Sequence, residues 1–116
     1  KVILIDRFVD STIAYQHYGF GLNLKLINDV NKYLLKNFNV DFTFLNTVNK
    51  INMVKRLKIR KSTNRYDRFN YNFYQNVQKG FLRLAKKNKK KYLVIDSNLD
   101  IKTNKTLIID KIRKLI

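Results

Sequence analysis

The sequence has no cysteine, no proline, three glycines and a single histidine among its 116 residues. Without cysteine, neither a disulfide framework nor a thiolate zinc site can form, and nothing marks an oxidising compartment. His17 has no second histidine or clustered carboxylates to complete a metal site, so it reads as a surface side chain and no metal ligand set is expected. The glycines stand at 19, 21 and 80, and G-x-x-x-x-G-K-[ST] occurs nowhere, so this chain cannot build a phosphate-cradling loop. The longest apolar runs fall far short of the ~20 residues a bilayer requires, and no signal peptide is expected. A soluble, cytoplasmic protein with no membrane partner is expected.

Acidic residues are scarce too. Eight of them face 25 lysines and arginines, a formal charge of +17. One reading is an anionic partner such as a nucleotide, a nucleic acid or an acidic membrane. The other is a compositional bias toward lysine and asparagine spread over a solvated surface. Charge alone does not choose between them. The length and 45% hydrophobic content suit one domain with a modest core. The chain opens on lysine rather than methionine and runs straight into an apolar stretch, which reads as a fragment lacking its beginning.

Val2-Ile3-Leu4-Ile5 is continuously apolar, as in a parallel-sheet strand buried on both faces. Two glycines at 19 and 21 then break the chain, and Asn23 can cap a helix from Leu24 to Leu35, with Leu24, Ile27, Val30, Leu34 and Leu35 at helical spacing. Asp41 to Leu45 reads as a second strand, and Asn49 caps a helix reaching about Arg60. Lys61 to Asn70 lacks periodicity and reads as a loop. Phe73, Val77, Phe81 and Leu84 mark a helix from Tyr71 to Lys87, and the basic run Lys86 to Lys91 complements its dipole. Tyr92 to Asp96 is a third strand, and a last helix runs from about Thr103 to Leu115, with Leu107, Ile108, Ile112 and Leu115 inward. Three apolar strands separated by helices predict a parallel α/β sheet with helices on both faces.

Two clusters carry chemistry. Asp6-Arg7 at a strand end, with Ser11, Thr12, Tyr15 and Gln16 after it, suits a phosphate gripped by an arginine fork and a base or sugar read by hydroxyl and amide groups. The same residues also read as a helix start capped by Asp10 or Ser11, with Tyr15 in the core. Arg56, Lys58, Arg60, Lys61, Arg65 and Arg68 suit a loop that closes over a transferring phosphoryl group, or else a solvated basic loop with Asp67 pairing locally. Phe73 keeps phase with the core, Tyr71 and Tyr74 stay open as stacking residues, and Asp96 reads as a strand end.

The succession of these motifs resembles the bacterial thymidylate kinase family. ILIDRFVDSTIAYQHYGFGLN is similar to that family's strand followed by D-R-[YF]-x-x-S-x-x-A-Y-Q and a Y-G-x-G-L turn. DFTFLNTVNK, RLKIRKSTNRYDRF, FYQNVQKGFLRLAKKN and YLVIDSN follow in the family's order, so the resemblance spans essentially the whole chain. It implies a P-loop kinase-like α/β fold, incomplete, whose first strand and P-loop lie before Lys1. Residues 1–116 would form a single partial domain with a lid at about 60–70. The intact enzyme would use ATP and Mg²⁺ to convert dTMP to dTDP, as a homodimer and without a specific nucleic-acid partner; this chain alone would be inactive.

Residue by residue, the resemblance implies catalytic roles for Asp6, Arg7 and Arg65, with Arg7 on the dTMP phosphate and Asp6 near phosphates and metal. Ser11, Thr12, Tyr15 and Gln16 would surround the nucleoside, with thymine read at Thr12 and Gln16 and deoxyribose near Tyr15. Arg60 and Arg65 would be lid contacts to ATP and the transferring phosphoryl, with Arg68 a further candidate. The chain departs from the pattern at Asn46-Thr47 and Asn49-Lys50, where the family reads L-D and D-P, at His17 for a glycine and at Phe20 for a basic residue. Two alternatives stand beside this reading, a deoxynucleoside kinase fragment and a basic nucleic-acid-binding protein.

Overall fold

The structure, a computed structural model, describes residues 1–60 and 70–116. A short helix α1 (Val9–Thr12) runs without a break into a π-helical segment, Ile13–Gly19. Then follow α2 (Leu24–Leu34), β1 (Thr43–Thr47), α3 (Lys50–Ile59), α4 (Tyr71–Lys87), a 3₁₀ turn (Lys89–Lys91), β2 (Tyr92–Asp96) and α5 (Ile101–Leu115). Strands β1 and β2 pair in parallel, with Thr43 opposite Tyr92 and Thr47 opposite Asp96. Parallel neighbours need a long crossover, and α3 and α4 lie within it.

Side-chain caps set the helix starts. Asn23, Asn49, Asn70 and Asp100 accept from the backbone N–H groups of Leu26, Asn52, Phe73 and Thr103 at 2.8–3.1 Å, satisfying donors that a helix cannot pair internally. Helix α4 carries most of the packing. Its Phe73 and Val77 form a core with Ala14 of the π segment, and Tyr15, Tyr74 and Phe81 close around it. Helix α4 also contacts both strands, where Leu45 and Ile95 are buried.

Two glycines permit this close crossing, and they work reciprocally. A Cβ at Gly19 would lie 2.6 Å from the Phe73 ring, and one at Gly80 would lie 2.5 Å from Cδ2 of Tyr18. Gly80 costs a helix interior about 0.5–1 kcal/mol relative to alanine; here its missing side chain is the space Tyr18 occupies.

Four sequence expectations change. Val2 to Ile5 is not a strand: the run is unpaired among the described residues and 49–82% exposed. Apolar β-branched residues favour a strand, but a strand exists only where a neighbour pairs its backbone. The described sheet therefore has two strands rather than three. Strand β1 starts two residues later than expected and extends through Asn46 and Thr47, which pair with Ile95 and Asp96. Helix α5 starts two residues earlier because Asp100 caps it. The expected inward faces are only partly covered: Ile27 is buried, whereas Val30, Leu34, Leu107 and Leu115 are exposed. The lid expected at about 60–70 falls largely on residues outside those described.

Candidate functional site: an arginine held on a tyrosine at the start of a helix

The polar stretch after the apolar run turns sharply. Arg7 has φ 63°, the left-handed region that a residue with a Cβ enters only at a cost of about 1–3 kcal/mol unless its surroundings hold it there. Phe8 is extended and starts α1 without a side-chain cap. The turn folds Arg7 back over the helix it precedes. Its guanidinium lies 4.8 Å from the Tyr15 ring centroid and donates to the Tyr15 hydroxyl at 2.5 Å. The Tyr15 ring also packs edge-on against Phe73 at 6.0 Å and Phe81 at 6.4 Å. Tyr15 thus has its ring on the core, as the plain helix reading expects, and its hydroxyl on Arg7.

The helix bearing Tyr15 widens at Ile13, so that Phe20 N–H donates to the Tyr15 carbonyl five residues back at 3.0 Å. Such π turns re-aim side chains and recur at functional sites. Ser11, Thr12 and Gln16 lie on the same continuous helix as Tyr15, with Thr12 exposed and Ser11 and Gln16 half-buried. Asp6 precedes Arg7 and is exposed. Asp10 and Ser11 are not the cap that a plain helix start would need. Asp10 instead accepts a short hydrogen bond from the Tyr92 hydroxyl, tying α1 to the first residue of β2. Burial pushes the Tyr92 phenol well above its ordinary pKa, and the Asp10 carboxylate beside it adds to the effect. His17 is more ordered than a free surface side chain, donating through Nδ1 to the Leu22 carbonyl at 2.7 Å.

A second polar group occupies the carboxyl ends of β1 and β2, the rim where open α/β sheets bind ligands. Asn98 is its hub. Its Oδ1 accepts from Asn49 N–H at 3.1 Å and Asn52 Nδ2 at 3.0 Å, and its Nδ2 donates to Asp96 Oδ1 at 2.6 Å. Asn104 donates to the Asp96 carbonyl at 2.9 Å, and Arg56 donates to the Ser97 carbonyl at 2.5 Å. Arg56 therefore fixes a strand-end loop. Of the sequence signals, the aspartate closing β2, the cap at Asn49 and Arg56 of the basic cluster touch this network; Asn52, Asn98 and Asn104 were lost among many asparagines.

The remaining predicted residues lie apart from the Arg7 cluster in the chain. Arg60 is exposed at the C-cap of α3, where its N–H donates to the Leu57 carbonyl at 3.3 Å. Arg65 and Arg68 lie outside the described residues. Tyr74 sits on the core beside Phe73 at 5.6 Å, and Tyr71 lies under the Lys50 ammonium, 4.4 Å from its ring centroid.

A sequence profile for the family described as thymidylate kinase matches residues 1–108. The chain belongs to the thymidylate kinase family. It is 40% identical over 115 residues to a thymidylate kinase of Wolbachia pipientis wMel, covering 97% of this chain and 56% of that protein. It is 37% identical over 117 residues to one from Acholeplasma laidlawii, covering 98% and 57%. The crystal structure of thymidylate kinase from Ehrlichia chaffeensis superposes with a TM-score of 0.61 at 30% identity, covering 94% of this chain and 48% of that one. The chain thus spans about half the length of these thymidylate kinases, and the two-stranded α/β sheet corresponds to part of their fold. No helix among the described residues is long and apolar enough to cross a membrane.

Proposed function

We propose that this chain is the acceptor-nucleotide side of a thymidylate kinase, in which Arg7 grips the phosphate of dTMP while the γ-phosphoryl of ATP is transferred to it. The observation that carries the reading is the geometry of Arg7. A non-glycine residue is held in a left-handed conformation, and its fork rests on Tyr15 above a helix lined by Ser11, Thr12 and Gln16. An arginine fork matches a phosphate with two parallel hydrogen bonds, each stronger than a neutral one. An incoming phosphate exchanges one neutral phenol for an anion. The Tyr15 ring, still packed against Phe73 and Phe81, borders the deoxyribose, and Thr12 and Gln16 read the thymine edge.

Asp6 works beside Arg7 at the phosphates, and Arg60, Arg65 and Arg68 neutralise the group in transit. Among the described residues no three His, Cys, Asp or Glu side chains converge as a metal cage. The single carboxylate of Asp6 suits Mg²⁺ carried in on ATP phosphates, whose charge the ion neutralises. The complete enzyme is a cytoplasmic homodimer, and the 116-residue chain alone does not turn over.

The test is made on this chain joined to the remainder of a thymidylate kinase. Arg7→Ala should lower kcat/KM for dTMP by about 10²–10³, as loss of one charge-stabilising donor does elsewhere. An unchanged rate would remove Arg7 from the site. Thymidine phosphorylated in preference to dTMP would assign the chain to a deoxynucleoside kinase.

A further inference from the structure

A residue with a Cβ stays in the left-handed region only where its surroundings over-determine it, and Arg7, at φ 63°, is such a residue. Its hydrogen bond to the Tyr15 hydroxyl cannot hold the turn in the bound state, because a phosphate takes that hydroxyl's place. The hold comes from the residues that follow. Helix α1 has four residues and no side-chain cap, too short to persist by itself. It is fastened from outside. The Phe8 ring packs edge-on against Phe38, 5.4 Å between centroids, and the Phe8 carbonyl accepts from Ser11 N–H at 2.9 Å. Asp10 accepts from the Tyr92 hydroxyl, 82 residues away in sequence. Tyr92 is itself fixed: it opens β2, stands opposite Thr43 in the parallel register, and its hydroxyl shares a hydrogen bond with the Thr43 side chain. The line from Thr43 through Tyr92 to Asp10 therefore ties the first residues of both strands to the first turn of α1, just past Arg7.

We infer that Asp10 and Tyr92 are positioning residues for the phosphate grip: their hydrogen bond fastens α1 to the sheet and so keeps Arg7 in its left-handed turn both before and after the phosphate binds. This deepens the reading of Arg7 as the grip on dTMP, and rests on it. Both residues act through Arg7. A fork already in its bound conformation needs no ordering when the ligand arrives. Released, Arg7 relaxes to an ordinary φ, and only a fraction of the chains then present the fork, which lowers the apparent affinity by that fraction. Position 10 needs an acceptor rather than a charge, so an asparagine oxygen should serve there and alanine should not. Because the fork meets the phosphate and not the nucleoside, losing the bond should weaken dTMP and spare thymidine. A bond that only stabilised the fold would not separate the two.

The test is made on the 116-residue chain by NMR. Positive φ brings a residue's own amide and α protons close together, so Arg7 should show a strong intraresidue HN–Hα NOE. Tyr92→Phe and Asp10→Ala should each weaken that NOE to the level of neighbouring residues. Each should raise the dTMP dissociation constant by about tenfold while thymidine's changes by less than about twofold. Asp10→Asn should keep the parent's values of both. Asp10→Ala leaves the bonds of the sheet in place, so it reads the tie even where Tyr92→Phe fails to fold. Asp100→Ala removes the cap of α5 and measures general loosening; it should leave the Arg7 NOE and the dTMP affinity unchanged. An unchanged Arg7 NOE in Asp10→Ala, equal weakening of dTMP and thymidine, an Asp10→Asn variant as impaired as Asp10→Ala, or the same losses in Asp100→Ala would overturn the inference. A parent chain that shows the NOE but does not respond to dTMP overturns the proposed function instead, and the tie is then decided by the NOE in the variants. Arg7-dependent dTMP binding that is indifferent to Asp10→Ala does the reverse.

Discussion

Gly80→Ala sets two well-defined effects against each other. Alanine in a helix interior gains about 0.5–1 kcal/mol over glycine. At position 80 the new Cβ would stand 2.5 Å from Cδ2, 2.6 Å from Cγ and 2.9 Å from Cβ of Tyr18. Carbon atoms pack best at about 3.5–4.0 Å, so the tyrosine must retreat by roughly 1 Å. The overlapped atoms are the root of the side chain, and rotating the ring does not relieve them. The π segment itself must back away from α4, an overpacking that costs about 1–3 kcal/mol. The net expectation is destabilisation by about 1–2 kcal/mol, read as a lower urea midpoint with unchanged slope. With Tyr18→Ala in place the overlap is gone, and Gly80→Ala should then stabilise by about 0.5–1 kcal/mol. A single Gly80→Ala variant more stable than the parent would refute the close crossing of these helices, and with it the support under Tyr15 and Gln16.

Tyr92→Phe removes the hydroxyl donated to Asp10 and should cost about 1.5–3 kcal/mol, as for a hydrogen bond to a charged group. The Tyr92 pKa is raised by folding, so its contribution is complete below the unfolded phenol value of about 10 and fades as pH rises above it; in the phenylalanine variant this alkaline decline should vanish from the stability profile. Hydrogen bonds from the Thr103 hydroxyl and N–H lower the Asp100 pKa. Its contribution should hold above about pH 4 and be lost as pH falls further, and Asp100→Asn should flatten that acid limb. Asn98→Ala empties the hub between the strand-end loops and should cost about 1–3 kcal/mol, with faster amide exchange at Asn49, a measurement that also separates the hub from a surface contact.

Local signals were legible in the sequence and long-range ones were not. Helix α4 and strand β2 lie where the periodicity and the apolar run place them, because those signals act within a few residues. The grouping of Arg7 with Tyr15 and Gln16, eight and nine residues on, was readable as a polar cluster. The left-handed turn that joins Arg7 to Tyr15 was not, since arginine carries no preference for it. Val2 to Ile5 misled because strand propensity describes a fit to neighbours, and those neighbours are not among the described residues. The bond between Asp10 and Tyr92 spans 82 residues, and no periodicity records it. Gly80 was visible as a glycine inside a helix; only the packed structure shows that it faces Tyr18.

The account rests on Arg7 and its helix as a grip for a nucleoside monophosphate. The most direct test is an NMR titration of the ¹⁵N-labelled chain with dTMP and, separately, thymidine. The account predicts that dTMP shifts the Arg7 Nε–H and the Ser11 and Gln16 amides, that thymidine does so far less, and that Arg7→Ala abolishes the dTMP response. Equal responses to both compounds, or dTMP shifts confined to the exposed lysines of 86–91, would contradict it.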